Sequence, residues 1–241
     1  MDEKQRQRPI PLSALAFACR VFGALTNYDS SYADFLCATN ACPDLRLATH
    51  RQALLEWLNK WGCRQFAVAY HEHASQEIRS WYGEYADRLC PKDRRLLELT
   101  ERELAVVGTA YESLSHRTAS YKKRGEEALR VSIGPAGASK VLFAIRPQAL
   151  LPWDAGIRKG LGHSGCGGSY VSYLRDARML LEELTVQCQR HGLELSRLPQ
   201  ELGKPDFSVA MLLNEYYWVT WTKSCAPDSD TFQRWAKWDR P

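Results

Sequence analysis

The chain has 241 residues, 45% apolar and 25% charged, with a formal net charge of +4. Those proportions belong to an ordinary globular protein and exclude a disordered or collagen-like chain, while mild basicity permits a polyanionic partner without demanding one. The eight cysteines include no C-x-x-C pair, which excludes a local zinc or iron–sulfur run and reads as reduced thiols.

Residues 1–9 are polar. Asp2 and Glu3 among the leading basic residues, and Arg20 in the apolar run, argue against a signal peptide, so the protein is expected in the cytoplasm. No stretch is apolar for long enough to span a bilayer. From 11 to 25, Leu12, Leu15, Cys19 and Phe22 recur at helical spacing, and a short helix is expected over 29–36 before a loop at 40–44. Residues 47–61 predict a firm helix through Leu54, Leu58 and Trp61, ended by Gly62. Another helix is expected over 66–89, closed by Cys90-Pro91. Within it His71-Glu72-His73 splays its two rings to different faces, which suits solvated surface rather than a metal. Thr100 and Glu103 make a capping box, after which Leu104, Val107, Tyr111 and Leu114 repeat on one face.

The basic patch Lys122, Lys123, Arg124 precedes a helix expected over 126–132. Gly134, Pro135 and Gly137 punctuate too densely for a helix interior, so a reversal is expected there, feeding a short apolar helix that opens near Ser139 and Lys140. Asp154 stands where the next helix should begin. His163–Ser169 (HSGCGGS) reads as a connector, and 170–189 as a long helix with the seam Leu174, Ala177, Leu181, Leu184, Cys188. Asp206 is expected to cap an apolar core helix reaching about 221, and 228–238 to form a last helix. No segment alternates with period two, so the predicted fold class is all-α.

Ile133-Gly134-Pro135-Ala136-Gly137-Ala138-Ser139-Lys140, followed by Asp154, Ile157, Arg158, Lys159, Leu161 and Gly162, resembles the helix-hairpin-helix DNA glycosylase superfamily. That family joins a hairpin of pattern L-P-G-V-G-x-K to an aspartate in D-x-x-(I/V) with basic residues and then L-G. The resemblance covers 126–162 and implies a two-lobed helical fold with a cleft between the lobes. The middle lobe would span 27–146, the C-terminal lobe 147–241, and a helix within 1–26 would return to pack on the latter. It implies that Asp154 is catalytic. Matching proline to proline makes Lys140 the amine nucleophile of bifunctional members; matching Gly137 to the last hairpin glycine puts Ser139 there instead.

The same resemblance assigns DNA contacts to Gly134, Gly137, Ala138, Ser139, Arg158 and Lys159, with Lys122, Lys123 and Arg124 nearby. Trp153 would wall the base pocket, and Trp57, Tyr70 and Trp218 are further candidates. Expected partners are double-stranded DNA and no membrane, with no cofactor, metal or iron–sulfur cluster, in a monomer. The activity implied is excision of a modified or damaged base, in repair or in defence against modified phage DNA. The alternative is a non-catalytic module that grips DNA or a protein.

The residue types suit that chemistry. Breaking an N-glycosidic bond builds positive charge on the sugar, which a pre-placed carboxylate stabilises. Plainer roles stand beside these: Asp154 as an N-cap, Lys140 as a solvated lysine, and the glycines as an ordinary turn.

Overall fold

The computed structural model describes residues 10–125 and 127–225; the expected features at 1–9 and 228–238 lie outside them. Among the described residues the protein is mainly helical, with ten α-helices and one two-stranded sheet. No described helix is long and apolar enough to cross a membrane.

The periodic stretches form helices close to where their spacing puts them. Helix α1 (Leu12–Leu25) buries Leu15, Cys19 and Phe22, and α2 (Tyr28–Ala38) and α3 (Ala48–Lys60) follow. A 3-10 turn at Val68–Tyr70 separates the next loop from α4 (His71–Tyr85), so the helix expected from 66 begins later. Helix α5 (Glu101–Ser115) starts on the Thr100–Glu103 capping box. Facing aromatic rings fill the space between these elements: Trp57 lies 5.2 Å from Phe35, and Tyr32 lies 5.2 Å from Phe143.

The mainly helical expectation holds, with one exception between 118 and 132. Strands β1 (Thr118–Arg124) and β2 (Glu127–Ser132) pair antiparallel, with Tyr121 opposite Arg130 and Lys122 opposite Leu129. Within the stretch expected as a helix over 126–132, the described residues Glu127–Ser132 therefore form a strand. The base of the hairpin is fastened to the body: the Ser120 hydroxyl donates to the Gln65 carbonyl at 2.6 Å, and Tyr121 lies 5.7 Å from Tyr70. Its outer end is exposed on both faces, so no buried row stamps an alternating pattern on the sequence.

Strand β2 runs almost directly into α6 (Gly134–Ile145), so the expected helix–reversal–helix is a strand followed by a helix. The chain turns through Gly134, whose φ of +67° lies in the left-handed region, and Pro135 occupies the first helical turn. Gly137 sits inside α6; an added Cβ would lie 2.7 Å from Gln65 Nε2.

After α6 the chain crosses to α7 (Ala155–Leu161), then α8 (Gly167–Arg190), the short α9 (Leu198–Glu201) and α10 (Val209–Tyr217). The glycines at 167–168, expected in a connector, open α8. The Gly167 N–H is held there by the Glu112 carboxylate of α5. Ser208 rather than Asp206 caps α10: its oxygen accepts from Met211 N at 3.1 Å while its hydroxyl donates to the Pro147 carbonyl at 2.6 Å. A π-helical turn, Trp218–Thr222, continues α10, and α1 packs against both.

One charged cluster lies inside this packing. Lys204 Nζ donates to Glu215 Oε2 at 2.7 Å and to Asp29 Oδ2 at 2.7 Å, joining α10 to α2. Glu215 is 0% exposed, and burial pushes its carboxyl up to about 7. Burial alone lowers the Lys204 ammonium, but the Glu215 and Asp29 carboxylates raise it above its usual range. Lys204 moves upward because two carboxylates face it, and Glu215 moves upward because its burial outweighs the one ammonium that faces it.

Candidate active site

Asp154 follows an irregular segment, Leu151–Trp153, whose carbonyls have no secondary-structure partners and are satisfied by side chains. Tyr170 donates its hydroxyl to Leu151 O at 2.8 Å, Tyr173 donates to Pro152 O at 3.2 Å, and Ser139 donates to Trp153 O at 3.2 Å. Trp153 N donates back to the Ser139 oxygen at 3.1 Å. These bonds hold the main chain on the approach to Asp154.

Asp154 is the N-cap of α7, with Oδ1 accepting from Ile157 N at 2.8 Å. The Thr222 hydroxyl, from the π-helical turn, lies 2.8 Å from Oδ1 and 2.9 Å from Oδ2 and donates to that carboxylate. Two glycines allow the approach. A Cβ on Gly156 would lie 2.7 Å from Thr222 Oγ1, and one on Gly160 would lie 2.5 Å from the Trp221 ring. Gly160 also gives a test in which two effects oppose. Helix propensity alone favours Gly160→Ala by about 1 kcal/mol, but overpacking against a ring costs about 1–3 kcal/mol. Packing should win, and Gly160→Ala is expected to melt a few degrees below wild type; an unchanged or higher midpoint would show that the two elements are not in tight contact.

Asp154 half-opens onto a cavity of about 460 Å³, and Lys140 of α6 lines the same cavity. Lys140 Nζ donates to the Trp61 carbonyl at 2.6 Å and lies 5.6 Å from the Trp61 ring centroid. Ser139, the other candidate for the nucleophile position, is 0% exposed and tied to Trp153, so only Lys140 is available to the cavity. Phe22, Tyr28, Trp61, Trp153 and Trp218 supply aromatic wall, and Gln65 and Asn214 add polar groups. Burial, and then the Asp154 charge, push the Tyr28 phenol up; burial also pushes up the Cys63 thiol, partly offset by Lys140. Cys63 is therefore a protonated, inert wall group.

The other residues singled out in the sequence fall in different places. Trp153 lines the cavity but is 1% exposed, its Nε1 donating to the Tyr111 hydroxyl at 3.2 Å, so it is as much core as wall. Trp57 is core, and Tyr70 packs on Tyr121 away from the cavity, whereas Trp218 lines it. Gly137, Ala138 and Ser139 are buried within α6, which leaves them no surface for a phosphate. Gly134 keeps partial exposure at the helix start. Arg158 is half-buried with its guanidinium 5.9 Å from the Trp153 ring, and Lys159 is exposed. Lys122, Lys123 and Arg124 are exposed on the outer part of β1. His71 faces inward, its Nε2 within 3.0 Å of Asn59 Nδ2, and among the described residues no group of three His, Cys, Asp or Glu could hold a metal ion.

Thr222, Tyr28, Gln65, Trp61 and Asn214 had no mark in the sequence that separated them from core or surface. A larger depression of about 780 Å³ beside α8 and α10 contains neither Asp154 nor Lys140. It offers no comparable grouping of acid, amine and aromatic wall. Comparison with protein-family models, with curated proteins and with solved structures gives no match for this chain.

Proposed function

We propose that the protein is a DNA N-glycosylase related to the helix-hairpin-helix enzymes, releasing a modified or damaged base extruded from the duplex. The observation that carries this reading is the meeting of Asp154 and Lys140 on one cavity of about 460 Å³ with aromatic walls. That volume lies within the range of about 300–1,000 Å³ typical of small-ligand sites. A base inside a duplex cannot reach such a pocket, so the nucleotide must leave the stack. The fold implied has two helical lobes with this cavity at their junction.

In the reaction the C1′–N bond breaks and its electron pair leaves with the base. Asp154, already held by Ile157 N and Thr222, faces the positive charge that builds on the sugar without having to reorient. In a hydrolytic cycle a water attacks C1′, and Asp154 takes its proton and passes it toward the departing base. In a lyase cycle Lys140 leaves the Trp61 carbonyl, loses a proton to Asp154 and attacks C1′. Ring opening of the adduct then gives a Schiff base. Phosphates would meet the start of α6 at Gly134, the cations Arg158 and Lys159, and the exposed Lys122, Lys123 and Arg124 of the hairpin.

The test is a panel of duplexes carrying modified bases, including DNA from phages with altered cytosines, scored for abasic sites. Borohydride is expected to trap a covalent protein–DNA adduct with wild type and none with Lys140→Ala. No adduct with either protein, alongside normal base release, would assign the chemistry to Asp154 and water alone. A second reading, a non-catalytic duplex-binding module, draws on the basic hairpin and on the N-cap role that Asp154 fills. Salt-dependent duplex binding with no abasic product from any member of the panel would favour it.

A further inference from the structure

Helix α10 carries two buried polar side chains in an otherwise apolar stretch, Asn214 and Glu215. Glu215 is accounted for by Lys204. Asn214 is not: the residue is 5% exposed and its side-chain amide makes no hydrogen bond to the described residues, yet neither amide atom is sealed from solvent. An amide with no protein partner that still meets solvent keeps its hydrogen-bonding capacity for water or for a ligand. Asn214 lines the cavity that holds Asp154 and Lys140, so its missing partner is to be sought there.

An asparagine amide offers one acceptor and two donors in a plane. Its best complement is a planar edge with one donor beside one acceptor, as on the hydrogen-bonding edges of nucleobases. The aromatic wall from Phe22, Trp61 and Trp218 suits a flat ring, and Lys140 disfavours one bearing positive charge. We propose that Asn214 reads the ligand. The cavity takes a neutral nucleobase whose donor–acceptor edge is intact, and rejects bases blocked by N-alkylation or made cationic by it. The identity of the ligand as a base rests on the function proposed above; the need for a planar donor–acceptor edge rests on the unpaired amide.

The experiment uses free uracil, cytosine, adenine and hypoxanthine at millimolar concentration, with 1,3-dimethyluracil as the blocked probe. Binding is read by ligand-observed NMR and calorimetry on wild type, Asn214→Ala and Asn214→Leu. At least one unblocked base is expected to bind wild type. Affinity should fall about tenfold or more in both variants, the loss expected for one bidentate pair. The blocked probe should bind no better to wild type than to the variants. Asn214→Leu is also expected to melt close to wild type, since the amide makes no hydrogen bond to the described residues that the substitution would break. That result would rule out misfolding as the cause of lost binding. Failure of every unblocked base to bind wild type, or equal binding by Asn214→Leu, would overturn the assignment. The two proposals can fail separately. Base binding that depends on Asn214, with no abasic product from any duplex, sinks the glycosylase and keeps this inference. Base release by Asn214→Leu with unchanged rate and preference sinks this inference and keeps the glycosylase.

Discussion

Asp154→Asn is expected to lower base release by at least about a hundredfold while leaving duplex affinity and melting temperature nearly unchanged. Asparagine caps a helix as well as aspartate does, so its Oδ1 can keep the bond from Ile157 N. It can also still meet the Thr222 hydroxyl. What it lacks is the negative charge that faces the developing cation on the sugar. Any drop in turnover therefore reports chemistry rather than collapse of α7. Turnover of Asp154→Asn within about threefold of wild type would remove this carboxylate from the mechanism, since so small a change is under 1 kcal/mol of barrier.

Lys204→Met should cost about 3–5 kcal/mol at pH 8, the usual result of deleting one partner from a buried ionic cluster. For a chain of this size that is a fall of about 6–20 °C in melting temperature. Two carboxylates, Glu215 and Asp29, would lose the one ammonium that contacts both. The pH dependence carries a definite sign. In wild type the Glu215 carboxyl stands at about 7, above its usual value, so the folded state binds the extra proton. Its contribution to stability is complete below the ordinary glutamate range and is lost as pH rises toward 7. Without Lys204 the carboxyl must rise further, so the variant goes on losing stability above pH 7, where wild type levels off. The gap between the two should widen from pH 5 to pH 8; a constant gap would mean that Glu215 is not the titrating group.

Local patterns explain which parts of the structure could be foreseen. The capping box at Thr100 and Glu103 and the seam of α8 are contained within a few helical turns, and the helices form where those patterns lie. The cap at Asp154 is of the same kind, because side chain and acceptor N–H are three residues apart. The run at 126–132 misled for a related reason. Its Glu, Ala, Leu and Arg are good helix formers, but pairing with Thr118–Arg124 outweighs that weak preference. At Gly134–Gly137 the density of glycine and proline marked a real change of direction. The turn, however, is made at Gly134 alone, and Gly137 serves close packing against Gln65 and Ile133 inside the helix.

Left to itself, then, the sequence determined the helical character of the chain and the aspartate at the head of α7, because both depend on residues within a turn or two of one another. It also paired Lys140 with Asp154 as candidates, though only through a resemblance in motif. Tertiary structure alone decided that the two share a cavity, that Ser139 is withheld from it, and that Thr222 and Asn214 complete its polar lining. Thr222 is 68 residues from Asp154. No periodicity or local preference couples positions so far apart; only the packing of α7 against the turn after α10 brings the hydroxyl to the carboxylate.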